Sequence, residues 1–422
     1  MTAFTENSLR ETLEALARPL WTDQNHEFCL SPDVYALTKG GNEQLKRIGE
    51  ASIECLTGIG RLAAIAANPD LSKMSSWRLI NRALWNGIPR IYQSLAVKRP
   101  NSIPGSLKVD LIEDQDSKFW IAEIDGYNER GLGYCTLITK MRDVIDPYAD
   151  TLPGIAPLYV KMARRFKRGD EILLIYARKE RFYLPEFALL AEELRQHGIT
   201  FIVASEEEVQ PTHKGFTVRG KTVYATLLVY HPFIHYNEAL NQALAQRYLA
   251  GEIDFIMPPK PFLGSKAVLA ILRNDENDPL LESALRSQIS GSELEAIREH
   301  IPQTYLIHKN MSWNQDIGNF VLKKAIASGM KGTFFPEEEG FAKLLEQAHK
   351  SDFSFVLQRE IKQKSTDYRY FTPDNGLLAV RCFTRVIAFY IGRELAEIDV
   401  TALPRKAVHG ATDSIFLGGV LI

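Results

Sequence analysis

"KVDLIEDQDSKFWIAEIDGYNERGLGYCTL", residues 108–137, holds two apolar runs around a polar turn and closes on a glycine-rich segment. The alternation in KVDLIE and FWIAEID predicts two strands paired as a hairpin, with the turn near EDQDSK. In that register Asp110 and Glu123 fall on facing strands, and Glu123 and Asp125, two residues apart, share one face. Three carboxylates gathered on one sheet face repel one another unless a cation sits among them. Hard oxygen donors of this kind suit Mg²⁺, which usually takes phosphate oxygens as well. Lys108, two residues before Asp110, shares its face and is placed to meet a phosphate. The plainer reading is an exposed hairpin whose outward positions happen to be acidic.

Around this stretch the chain is ordinary in bulk. Its 422 residues predict about two to three domains. With 45% hydrophobic and 24% charged residues and a net charge of −2, nothing global draws it to nucleic acid or to a membrane. Cys29, Cys55, Cys135 and Cys382 lie far apart, with neither CxxC nor metal-ligand spacing, which predicts a reduced, cytoplasmic setting. The first residues, MTAFTENSLRETLEAL, carry acids and no apolar core, unlike a signal peptide. No apolar run approaches the roughly 20 residues that span a bilayer.

Residues 1–100 read as a helical region, from apolar spacing of three and four in ENSLRETLEALARPL, NEQLKRIGEASIECLTGIGRLAAIAANP and MSSWRLINRALWNGIPRIYQSL. Residues 101–165 hold the hairpin and a following helix. Residues 166–258 contain a β-α-β unit: EILLIY, an amphipathic helix ended by Gly198, then TFIVAS. Alternating strands and helices predict an α/β (α+β) class with a mainly parallel sheet. No GxGxxG follows the first strand, which argues against a dinucleotide site. A proline-rich hinge, MPPKPFLGSKAVLAILRN, opens the last region, residues 259–422.

Two further stretches carry chemistry. In FVLKKAIASGMKGTFF, residues 320–335, a strand delivers Lys323 and Lys324, and a turn with Gly329, Lys331 and Gly332 follows. Glycines let backbone N–H groups face an anion, and lysines supply point charges for phosphates. A solvated surface hairpin is the bland alternative. In SFVLQREI, residues 354–361, a buried strand breaks into a charged segment whose backbone could meet an adenine edge; a plain core strand fits equally. The loop residues His231, His235, Tyr236, Arg405, Lys406, His409 and Asp413 suit a substrate wall or simple solvation, and two histidines without a third ligand make zinc a poor fit.

In their order along the chain, these motifs resemble the ATP-grasp superfamily in its circularly permuted, glutathionylspermidine synthase-like form. The match runs over about residues 105–422: Lys108-Val109-Asp110 and Glu123-Ile124-Asp125, then Val321-Leu322-Lys323 through Gly332, then Val356-Leu357-Gln358. The resemblance implies a circularly permuted ATP-grasp fold with a Rossmann-like unit, and an ATP-dependent carboxylate–amine ligase working through an acylphosphate. It assigns Asp110, Glu123 and Asp125 to Mg²⁺, and Lys323, Lys324, Gly329, Lys331, Gly332 and Gln358 to ATP. Lys108 and Arg130 take catalytic places at the transferred phosphate and the substrate carboxylate. The family usually has asparagine at 125 and often arginine at 108; Asn128 is the alternative third ligand. The implied partners are a small-molecule or peptide carboxylate and an amine, with a homodimer the base-rate assembly. A phosphotransferase on the same scaffold and a non-catalytic nucleotide-binding or scaffold protein are the competing readings.

Overall fold

The computed structural model describes residues 6–21, 28–68, 70, 75–127, 130–166, 171–213, 215–230, 237–309, 311, 317–327, 332–372, 374, 376–406 and 413–422. The first hundred residues give helices α1 (Glu6–Ala17), α2 (Lys39–Ala66), α3 (Ser75–Trp85) and α4 (Arg90–Lys98). They are not all helical. Two short strands, β1 (Cys29–Leu30) and β2 (Tyr35–Leu37), both pair in parallel with the last strand of the chain, too short for apolar spacing to reveal them. Helix α2 starts at Thr38, whose hydroxyl accepts from the Gly41 N–H at 3.1 Å.

The opening hairpin forms as expected from β3 (Ser106–Glu113) and β4 (Phe119–Asp125), followed by α5 (Leu132–Ile145) and α6 (Ile155–Arg165). Next come β5 (Glu171–Tyr176), α7 (Leu184–Gln196) and β6 (Thr200–Ser205), then the small antiparallel sheet of β7 (Val209–Pro211), β8 (Phe216–Val218) and β9 (Lys221–Val223). Strands β10 (Leu227–Tyr230) and β11 (Asp254–Phe255) flank α8 (Glu238–Leu249). The order β11-β10-β5-β6, parallel throughout, is the Rossmann-like unit.

Helices α9 (Ala267–Arg273), α10 (Pro279–Gln288) and α11 (Gly291–Arg298) lead to β12 (Thr304–Leu306), β13 (Phe320–Lys324) and β14 (Thr333–Phe334). Helix α12 (Phe341–Lys350) and β15 (Phe355–Arg359) complete an antiparallel lobe ordered β12-β15-β13-β14. Strands β16 (Ser365–Phe371), β17 (Leu377–Ile391), β18 (Glu394–Leu403) and β19 (Ile415–Leu421) end the chain.

These last strands join the early hairpin in one eight-stranded sheet, β1-β19-β18-β17-β3-β4, with β16 beside β17 and β2 beside β19. It is mostly antiparallel, so the expected mainly parallel sheet describes the Rossmann-like unit alone. Tight turns such as Gly392 (φ +64°) between β17 and β18 leave no chain for a crossover. Alternation sorts the two faces: Val109, Val386, Ala388 and Tyr390 pack into the core with α2, whereas Ile387, Phe389 and Ile391 pack on the α6 and α7 side. Gly49 of α2 lets the Tyr390 ring press close, since a Cβ there would lie 2.1 Å from it, and the Tyr390 hydroxyl donates to the Leu45 carbonyl at 2.6 Å. Among the described residues no helix is long and apolar enough to cross a membrane.

Candidate active site

The hairpin register pairs Lys108 with Asp125 and Asp110 with Glu123. A bulge lies between these pairs and the Leu111–Ile121 pair, leaving Ala122 as the extra residue on β4. The bulge shifts the strand's phase, so that Trp120, Glu123 and Asp125 all line one cavity of about 390 Å³. It also frees the Ala122 carbonyl, which accepts from Lys323 Nζ at 3.1 Å. One extra residue thus aims two acids and ties the hairpin to the lobe opposite.

Lys323 and Val321 line the cavity from β13, while Lys324, next along the strand, is exposed and outside the lining. Lys323 also donates to Gln358 Oε1 at 2.6 Å. Gln358 Nε2 lies 3.4 Å from both the Ile121 carbonyl and Thr304 Oγ1, so its side chain holds Lys323, and the strand end left to a ligand is Arg359 to Ile361. Gly332 lines the same wall; Gly329, Lys331 and Asn128 lie outside the described residues.

Each acid has found a base of the protein. Lys108 Nζ lies 3.7 Å from Asp125 Oδ2, Arg385 Nη1 lies 3.6 Å from Asp110 Oδ2, and Lys266 Nζ lies 3.0 Å from Glu123 Oε2. Asp125 Oδ1 in addition accepts from the Tyr127 N–H at 3.0 Å. The expected cage of three converging carboxylates does not form: among the described residues no three acidic, histidine or cysteine side chains come together to hold a metal ion. The repulsion that seemed to demand a metal is met by Lys108, Lys266 and Arg385.

Burial works against charge at Glu123, Lys108, Lys323 and Asp399. It raises the Glu123 carboxyl, with Lys266 pulling the other way. It works against the Lys108 ammonium too, yet Asp110, Asp125 and Glu123 outweigh it and hold Lys108 above the usual lysine value. Lys323 is pushed down to about 8 by burial and by Lys266 beside it. Behind the wall, burial lifts Asp399 of β18 to about 7 against the pull of Arg385.

The segment from Arg130 to Gly133 is fixed from the Rossmann-like unit. Arg130 forms an ion pair with Glu180 and lies over the Tyr183 ring, its guanidinium carbon 4.8 Å from the centroid. Glu186 of α7 accepts from the Gly131 N–H and caps the start of α5; burial lifts its carboxyl to about 7, with the Gly131 and Gly133 N–H groups pulling it down. Gly131 has φ +101°, and a Cβ on Gly133 would lie 2.1 Å from the Glu186 carbonyl oxygen. The two glycines therefore answer to different demands, one conformational and one of close approach.

Sequence reasoning missed Lys266, Arg385, Glu180, Glu186 and Asp399. Lys266 follows the proline-rich hinge at the start of α9, and Arg385 interrupts the apolar run of β17; either anomaly was a signal. Lys406 does reach the cavity and lies 2.7 Å from Glu360, whereas Arg405 pairs with Asp413. His231, His235, Tyr236 and His409 lie outside the described residues.

No family model matches the chain, and no curated protein matches it. Among solved structures, a glutathione synthetase-like effector from Globodera pallida, in its apo form, aligns at a TM-score of 0.60 and 11% identity, over 100% of this chain and 98% of that one. A Methylobacillus flagellatus KT chain assigned as a gamma-glutamylcysteine synthetase aligns at a TM-score of 0.36 and 11% identity, over 81% of this chain and 83% of that one. The first alignment, end to end in both chains, shows that this α+β chain has the fold of the glutathione synthetase-like effector.

Proposed function

We propose that the chain is an ATP-dependent carboxylate–amine ligase of the circularly permuted ATP-grasp type. The observation that carries this reading is the cavity between the hairpin and the β12–β15 lobe. Its volume falls within the roughly 300–1,000 Å³ usual for small-molecule sites. Among the described residues seven basic side chains line it, Lys108, Lys266, Lys323 and Arg385 included, against four acidic ones, in a protein whose net charge is −2. Such a wall draws in a polyphosphate. Lys266, buried, and Lys323, half-buried beside it, gain most from a phosphate between them.

Of the three acids, Asp110 and Glu123 fit a metal best. They face each other across the hairpin, and Asp110 Oδ1 is buried with no hydrogen-bond partner, whereas both oxygens of Asp125 are engaged. Magnesium commonly takes one or two carboxylates with phosphate oxygens completing its shell. Brought in with the nucleotide, it would neutralise phosphate charge at these two residues. Asp125 then orients Lys108.

In the reaction, a substrate carboxylate oxygen attacks the γ-phosphorus of ATP, giving an acylphosphate and ADP. An amine attacks the acyl carbon, phosphate leaves with the bonding pair, and the amine proton passes to solvent. Lys108 and Lys323 balance the charge on the transferred group, and Arg130, steadied by Glu180 and Tyr183, meets the substrate carboxylate. The test is an assay of ATP, Mg²⁺ and a panel of carboxylic acids, with and without a panel of amines, read by mass spectrometry. An amide formed with equal ADP and phosphate supports a ligase. A stable phosphorylated acid points to phosphotransfer, and nucleotide binding without ADP formation across the panel points to a scaffold.

A further inference from the structure

Strand β18 carries a buried carboxylate that the proposed reaction leaves unused. Asp399 pairs with Ile387, which pairs in turn with Asp110, and Thr401 pairs with Arg385. All of these positions except the pairing partner Ile387 are polar, and all lie on the sheet face that bears the cavity's acids. Arg385 therefore stands between two carboxylates on neighbouring strands, Asp110 on one side and Asp399 on the other.

Its bond to the first is long, 3.6 Å from Nη1 to Asp110 Oδ2. Among the described residues its Nε makes no hydrogen bond, and neither does Asp110 Oδ1, Asp399 Oδ1 or Thr401 Oγ1, although all four atoms are buried. Buried polar atoms are rarely left without partners, and a cluster of them calls for a cause. The inventory is complementary. Arg385 Nε can only donate, the carboxylate oxygen of Asp399 can only accept, and the Thr401 hydroxyl can do either. Asp399 and Thr401 thus form a second seat for the guanidinium, next to the one it occupies.

We propose that Arg385 is a two-position counter-charge, screening Asp110 in the free protein and moving to Asp399 and Thr401 when a divalent cation arriving with nucleotide takes Asp110. The inference rests on the ligase reading, because it needs nucleotide and cation at that carboxylate. A divalent ion on Asp110 repels a guanidinium held at 3.6 Å. Without another anion close by, the arginine would be left as a poorly solvated, unpaired charge. Asp399 removes that penalty. It is a positioning residue, acting through Arg385.

The test measures ADP binding as a function of Mg²⁺, and ADP binding in EDTA, for the wild type, Asp399→Asn and Asp399→Asn/Arg385→Gln. In Asp399→Asn the second seat loses its charge and the arginine competes with the metal, so the Mg²⁺ needed for half-saturation rises about tenfold, a usual size for coupling between two ligands. Metal-free ADP binding stays within about twofold, well under that coupling. Removing Arg385 as well returns the Mg²⁺ requirement to near the wild-type value. A merely structural Asp399 would weaken both arms together, and the double variant would do no better than the single one. An unchanged Mg²⁺ requirement in Asp399→Asn overturns this inference and leaves the ligase reading standing, whereas a wild type that binds no Mg·ADP overturns both.

Discussion

Lys323 is a half-buried amine with a second lysine beside it, and that environment sets how its charge responds to pH. Burial and Lys266 bring its ammonium down to about 8 in the free protein. A phosphate favours the protonated form, so a nucleotide that binds above this value must first restore the proton. Affinity for Mg·ADP should hold steady below pH 8 and fall by up to about tenfold per unit above it. Binding followed over pH 6.5–10 checks this, and an affinity flat across the window would show that Lys323 does not meet the phosphates. Asp125 gives a second contrast at the same scale. With one oxygen on the Tyr127 N–H and the other toward Lys108, it belongs to the wall that holds Lys108. Asp125→Ala should keep the Mg²⁺ dependence of nucleotide binding while Asp110→Ala removes it; a loss in both would place Asp125 among the metal ligands.

At the scale of elements, the hairpin and the segment from Arg130 to Gly133 decide the site. Alternation in KVDLIE and FWIAEID was enough to place Lys108, Asp110, Glu123 and Asp125 on one face. The bulge at Ala122 was not legible, because one extra residue leaves no mark on composition. Without it Trp120 and Glu123, three apart, would point to opposite faces. Nor could the sequence show that the acids would be neutralised from within. Lys266 and Arg385 come from a helix start and a strand far along the chain, and only the fold brings them to the hairpin. In the turn, Gly131 was readable as a loop glycine, but the need for glycine at 133 comes from the Glu186 backbone, which cannot rotate away. Gly133→Ala should destabilise the protein by about 1–3 kcal/mol, the usual range for overpacking. Denaturant unfolding checks this, and a change below about 0.5 kcal/mol, the size of an ordinary surface substitution, would mean that α5 and α7 are free to separate.

Over the whole molecule, the early hairpin and the last strands share one sheet, and the lobe that faces them comes from the segment between. The hairpin and the lysine-bearing lobe were legible from their own motifs, but the return of the last strands to the hairpin's sheet was not, because apolar alternation marks a strand without naming its partner. The strands β1 and β2 were not legible either, since two- and three-residue strands take their stability from β19 and carry no period of their own. The Rossmann-like unit was plain from its buried runs, and its role in bracing Arg130 and α5 emerged only from the packing.

All of this converges on one claim, that Mg²⁺ and nucleotide bind together between the hairpin and the lobe. The most direct measurement is calorimetric titration of Mg·ADP into the wild type, Glu123→Gln and Lys323→Ala, each shown to be folded by circular dichroism. The account predicts saturable heat in the wild type, with an affinity that falls when Mg²⁺ is chelated and falls in both variants. A folded wild type that gives no heat, or variants that bind as the wild type does, would contradict it.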